Sequence, residues 1–193
     1  MKWIVSIAML FFMSLSVVQA QEMPELDKSP MDAAYFPARA AFRSFADTEE
    51  EKMANKPVMR VLYSRPQKKG RDVFPELVAY DKVWRAGANE STEIIFFEDV
   101  VLGDTKIKGG RYTLYTVPGE EEWKVMINTD LDGWGAYAYN PDNTVASMTV
   151  PAMETEAPVE AFTIMFEKVD DGAHMIMAWD DVMIRVPFKT WSM

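Results

Sequence analysis

Ala161-Phe162-Thr163-Ile164-Met165-Phe166-Glu167 places Phe162, Ile164 and Phe166 on one side of an extended chain and Thr163, Met165 and Glu167 on the other. A period of two marks a strand with one face against a core and the other toward solvent. Residues 112–117 interleave tyrosine and leucine with threonines in a related way. Outward from these, the chain from Pro57 onward is a series of short runs rich in β-branched and aromatic residues. They lie at 58–64, 92–98, 112–117, 123–128, 137–139, 146–150, 161–167, 174–179 and 182–186. Gly109-Gly110, Pro118-Gly119, Asp132-Gly133, Pro141-Asp142-Asn143 and Asp170-Asp171-Gly172 separate them and supply the positive or preset φ that tight turns need. Many short strands with frequent turns favour an all-β fold, an antiparallel β-sandwich or partly open barrel, over any βαβ arrangement. No repeat or low-complexity linker divides residues 57–193, which are expected to form a single β domain.

Residues 21–56 read as an N-terminal extension of mixed short helix and coil. Ser29-Pro30 can cap a short helix over 31–36, which Pro37 would end. Residues 40–46 fit helix or strand, with Phe42 and Phe45 three apart. The charged run Asp47-Thr48-Glu49-Glu50-Glu51-Lys52 reads as a solvated loop.

Residues 1–20 have the form of a cleavable secretory signal peptide. Lys2 supplies the positive start, Trp3 to Val18 an apolar stretch broken only by serines, and Val18-Gln19-Ala20 the small residues of a cleavage site between Ala20 and Gln21. The apolar stretch is short for a membrane span, and acidic residues begin at Glu22, so no span is expected after cleavage. The expected destination is the periplasm or the medium.

The chain has no cysteine, which excludes disulfides, thiolate metal sites, a cysteine nucleophile and lipid attachment beside the cleavage site. Its formal charge is −10, from 20 basic and 30 acidic residues. Such a charge repels phosphate backbones, and no basic stripe interleaved with aromatics overrides it, so nucleic acid is not an expected partner. No cofactor is expected.

Five segments then occur in one order: Tyr63-Ser64-Arg65-Pro66, Lys69-Gly70-Arg71, Val83-Trp84-Arg85-Ala86-Gly87-Ala88-Asn89-Glu90, Gly110-Arg111-Tyr112-Thr113-Leu114 and Trp134-Gly135-Ala136-Tyr137. Together with Leu26-Asp27-Lys28-Ser29-Pro30, this combination resembles the domain-of-unknown-function (DUF) 2911 family. The resemblance implies an exported bacterial protein with a predominantly β domain, and it brings no established activity. Ser91 stands where alanine is common in the family.

The polar set within these motifs, Arg65, Arg71, Arg85, Asn89 and Glu90 with Trp84 beside them, is the candidate ligand-binding site. Arginine forks take carboxylate or phosphate oxygens bidentately, so the expected partner is a small anionic or polyhydroxylated molecule. The competing structural interpretation pairs Arg85 with Glu90 or with backbone carbonyls, Gly87 permitting a tight turn. Glu90 is also the one weak catalytic candidate, as the acid or base of a hydrolase. A structural envelope protein with no ligand is the third possibility.

Asn128, Asp130 and Asp132 followed by Gly133 partly fit a calcium loop, but the twelfth position is Tyr139 where a glutamate is needed. An Asx-rich hairpin is the simpler expectation. His174 is the single histidine, and no nucleophile elbow or metalloprotease helix accompanies it. Trp134, Tyr137 and Tyr139 could form a platform for a sugar ring, though core packing is the more economical use. The 15 methionines read as adaptable core filler, apart from the initiator and those in the leader.

Overall fold

The computed structural model describes residues 22–190. The proposed signal peptide and its cleavage site lie outside the described residues. Ten strands run in chain order: β1 (Met31–Phe36), β2 (Met59–Ser64), β3 (Thr92–Phe96), β4 (Val100–Leu102), β5 (Thr105–Ile107), β6 (Gly110–Pro118), β7 (Glu122–Asn128), β8 (Thr144–Pro151), β9 (Met153–Val169) and β10 (Gly172–Thr190). They form a six-stranded sheet in the order β1-β2-β3-β6-β7-β8 and a four-stranded sheet in the order β5-β4-β10-β9. Every strand pairing is antiparallel. The fold is an all-β sandwich, and the sheets do not close into a barrel.

The alternation in β9 has its expected result: Phe162, Ile164 and Phe166 are buried while Met165 and Glu167 are exposed. Phe162 meets Tyr63 of β2 edge-on with ring centroids 5.7 Å apart. Beside them Trp84 stacks on Trp179 at 6.1 Å and meets Phe162 at 5.0 Å and Trp123 at 6.0 Å. Rings arranged edge-on and offset fill the space between the sheets and add to the hydrophobic burial.

Several sequence expectations are corrected. Residues 31–36 form strand β1 rather than a helix, with all six residues in register from Met31↔Ser64 to Phe36↔Met59. Backbone pairing along the free edge of β2 outweighs the local capping signal, and Pro30 and Pro37 bound an edge strand as well as they bound a helix. The 40–46 segment resolves into a 3-10 helix, Ala40–Phe45. The charged run contains a helix, α1 (Glu49–Ala54), rather than a loop. Thr48 caps it by accepting the Glu51 N–H at 3.1 Å, and Glu51 reaches back to the Asp47 N–H at 3.3 Å.

The separate strands expected at 174–179 and 182–186 are one strand, β10. Its register to β9 shifts on both sides of Asp180, which takes φ 55°. The surplus residues belong to β9, where Thr163, Val159 and Glu154 face Ala178, Asp180 and Val182, and Pro158 among them is tolerated because β9 is an edge strand. The β4–β5 hairpin was not anticipated, and residues 137–139 form no strand. Met59, Met126, Met175 and Met177 fill the core as expected, whereas Met23, Met31, Met53 and Met165 are exposed.

Candidate functional site

The segment from Trp84 to Ser91 leads into β3 as an irregular loop tied at both ends. Trp84 exchanges both backbone hydrogen bonds with Thr116 of β6, at 2.7 and 2.8 Å. At the far end the Ser91 N–H donates to the Gly133 carbonyl at 2.9 Å and the Gly135 N–H to the Asn89 carbonyl at 2.8 Å. These two bonds flank Glu90 and Trp134, making them a non-hydrogen-bonded cross-strand pair whose side chains leave on the same face. Between the ties, Ala86 and Asn89 hold positive φ of 51° and 58°. Gly87 packs so close to β2 that a Cβ would lie 3.0 Å from the Ser64 carbonyl oxygen, which explains the run of small residues at 86–88.

Arg85 is half-buried in this loop, and burial pulls its guanidinium below its ordinary pKa, with Tyr137 acting in the opposite sense. Its Nε is closed off from solvent without a hydrogen-bond partner. Arg60 also has a closed-off Nε, but Glu93 lies 3.9 Å from its Nη2. Among the described residues Arg85 enters no ion pair, and the anticipated pairing with Glu90 is not formed. Tyr137 and Arg85 converge over Gly135. A Cβ at that glycine, whose φ is 64°, would lie 3.1 Å from the Tyr137 ring and 3.5 Å from Arg85 Nη1.

The loop that carries Tyr137 lies on the outer face of the six-stranded sheet, away from the sandwich interior. Trp134 and Tyr137 are therefore 59% and 89% exposed, which corrects the expectation of core packing for both. Tyr139 alone packs down, edge-on against Tyr115 at 5.1 Å, with its hydroxyl donating to Met126 Sδ at 3.3 Å. On the other side of the Glu90–Trp134 pair is a cavity of about 280 Å³, lined by Glu90, Ser91, Glu93, Thr113, Leu131 and Asp132 among others. Arg111 holds two of those carboxylates, Glu93 at 2.6 Å and Asp132 at 2.7 Å, and both raise its own pKa, Glu93 the more.

The remaining candidates have structural occupations. Arg65 donates from Nε to the Phe162 carbonyl at 3.1 Å, from Nη1 to Asp32 at 2.9 Å and from Nη2 to the Thr163 hydroxyl at 2.8 Å. It fastens the end of β2 and the edge strand β1 to β9. Arg71 donates to the carbonyls of Lys68 and Gln67 at 2.8 and 2.7 Å. Trp84 is buried in the aromatic core, where a ligand does not reach it. Asn89 lies near Asp27, whose carboxyl is held below the usual carboxylate range first by the Ser29 N–H, which it accepts at 2.6 Å, and then by the Asn89 amide. Of the set grouped by sequence, the fold leaves Arg85 and Glu90 unengaged and surrounds them with Trp134, Tyr137 and Ser91, which that grouping did not include. Two glycines bracketing Trp134 were the one local hint that this tryptophan sits in a loop.

Asn128 and Asp130 act as a latch for the outer loop. Asn128 donates to the Asn140 carbonyl at 2.9 Å and accepts the Asp130 N–H at 2.7 Å, and Asp130 accepts from Asn143 Nδ2 at 2.6 Å. Asp132 is taken by Arg111, so these three side chains already have protein partners. Among the described residues no group of three or more His, Cys, Asp or Glu could hold a metal ion. His174 sits in β10 of the four-stranded sheet, opposite Glu167 and half-buried, whereas Arg85 lies in the loop tied to β6 of the other sheet.

Among the described residues no helix is long and apolar enough to cross a membrane. No curated protein and no solved structure matches the chain. A family model described as "Protein of unknown function (DUF2911)" matches residues 44–188, in agreement with the motifs from Tyr63 to Tyr137, and the chain therefore belongs to the DUF2911 family.

Proposed function

We propose that the protein is an exported binding module that captures a small anionic ligand through Arg85. The observation that carries this is a half-buried guanidinium with no hydrogen bond or ion pair among the described residues. Leaving a buried donor unmade costs about 1–3 kcal/mol, more when it is charged. A fold that retains such a group gains nothing from it in the free state, and desolvated charges of this kind cluster at functional sites. The Nη nitrogens are not sealed as Nε is, so they are the groups that would meet a ligand.

Hydrolysis with Glu90 as acid or base has one supporting feature, the cavity that Glu90 shares with Glu93 and Asp132. Both of those partners are engaged by Arg111, which leaves Glu90 without the second free carboxylate that glycoside hydrolysis uses. Binding is the better supported function.

A thermal-shift screen against carboxylates, sugars, phosphates and divalent metals tests it. A ligand at a hundredfold its Kd stabilises by about 2.7 kcal/mol, or roughly 5–10 °C for a domain of this size. The expected pattern is a shift with an anion that Arg85→Met abolishes while its own unfolding free energy stays within about 1 kcal/mol of the parent. If no compound moves the midpoint, the protein is a structural one without this site.

A further inference from the structure

We infer that the ligand is an acidic glycan, with a neutral sugar ring in the cavity beside Glu90 and the carboxylate of the adjoining uronate on Arg85. This rests on the anion-binding role of Arg85 proposed above.

Three observations specify the chemistry. Arg85 and Glu90 are the two unengaged charges of the site and they cancel, since Glu93 and Asp132 are already shared with Arg111. A dianionic phosphate would meet one cation beside a free carboxylate, whereas a single carboxylate matches the one arginine. Second, an exposed aromatic stands beside each of the two charges. Tyr137 lies beside Arg85 Nη1, and Trp134 lies beside Glu90 in the cross-strand pair. Flat apolar faces next to hydrogen-bonding charges suit sugar rings, which present C–H faces and a hydroxyl rim. Amphipathic aromatics serve such half-wet contacts at little entropic cost.

Third, the cavity and the arginine are spaced for consecutive units. The cavity reaches Ser91 and Gly133, while the Arg85–Tyr137 contact is over Gly135, two residues further along the same short ladder. At 3.3 Å per residue this is roughly 7 Å, on the scale of one sugar step. The 280 Å³ cavity falls just below the usual range of about 300–1,000 Å³ for whole-ligand pockets, so it takes one ring rather than a chain. Leu131 supplies an apolar wall, and the Glu90 carboxylate can accept only from a donor such as a hydroxyl.

The test is calorimetric titration of protein purified after expression of the full chain. The probes are aldotriouronic acid (a glucuronate on neutral xylobiose), xylotriose, glucuronate and succinate. The expected result is that aldotriouronic acid binds at least tenfold more tightly than any of the other three. Arg85→Met should reduce it to the level of xylotriose. Leu131→Trp, which fills the cavity from an already exposed position, should reduce it to the level of glucuronate. If succinate binds as tightly as aldotriouronic acid, and only Arg85→Met matters, the glycan inference fails while anion binding stands. If none of the four binds, or binding survives Arg85→Met, both fail.

Discussion

Tyr63 and Ile164 exchange two hydrogen bonds across the sandwich. The Tyr63 hydroxyl donates to the Ile164 carbonyl at 3.2 Å and accepts the Ile164 N–H at 2.9 Å. Since β9 is an edge strand, these backbone groups have no further strand to pair with, and a side chain of the other sheet satisfies them instead. Arg65 and the Pro66 carbonyl do the same for Phe162, so the Tyr63-Ser64-Arg65-Pro66 motif is a clasp between the sheets.

Tyr63→Phe should therefore cost about 1–3 kcal/mol in urea denaturation, because it leaves a buried N–H and C=O unpaired. Burial raises the Tyr63 pKa, while the Ile164 bond acts in the lowering sense. The raised pKa means that the stability linked to Tyr63 is fully present below the ordinary tyrosine value of about 10 and is lost as pH rises above it. Parent protein should lose stability more steeply than Tyr63→Phe above that pH. Equal slopes would remove the clasp from the account.

Gly135→Ala and Gly103→Ala form a controlled pair. Both glycines have positive φ, 64° and 60°, so each substitution carries backbone strain of about 1–2 kcal/mol. A Cβ at Gly103 meets nothing within 4 Å, whereas one at Gly135 meets the Tyr137 ring. Gly135→Ala should be the more destabilising by melting temperature, and it alone should weaken any ligand-induced shift that depends on Arg85.

Asp99 anchors the β4–β5 hairpin to the start of β6. It accepts from Lys108 and Lys106, each at 3.0 Å, and from the Gly109 N–H at 3.0 Å, which together hold its carboxyl well below the usual carboxylate range, Lys108 the most. A depressed pKa contributes stability above the unfolded value, near 3.9, and that stability is lost as pH falls through the folded one. Asp99→Asn should lower the melting point at pH 7 and flatten its decline between about pH 4 and pH 2. An unchanged acid limb would show that the two lysines contribute nothing.

Phe162→Ala should cost about 3–5 kcal/mol, since Phe162 is fully buried against Tyr63, Trp84 and Trp179. Denaturant midpoints measure it. A loss under about 1 kcal/mol would mean that the aromatic cluster collapses to fill the gap.

What was legible in the chain followed local rules. Thr48 with Glu51 carries a helix-start signal whose hydrogen bonds the structure contains, although the density of charge argued for a loop. Strand β1 was not legible, because its six residues lack any period and become a strand only by lying against β2. The unity of β10 was hidden by Trp179-Asp180-Asp181, which resembles a turn. Asp180 is instead held inside the strand by Lys68, 112 residues away.

The alternation at residues 161–167 and the spaced turns determined the all-β class and the antiparallel sense without further help, since side-chain period and turn chemistry are properties of a few adjacent residues. Which arginine stands open was decided only in three dimensions. Arg65 and Arg85 sit in motifs of the same series and look equivalent, yet Arg65 meets a carbonyl 97 residues away at an unpaired sheet edge. Arg85 instead emerges beneath a loop that carries Tyr137 and brings no acceptor to its guanidinium. The partner of a charged side chain depends on what the fold lays across from it, and strand pairing between distant segments settles that.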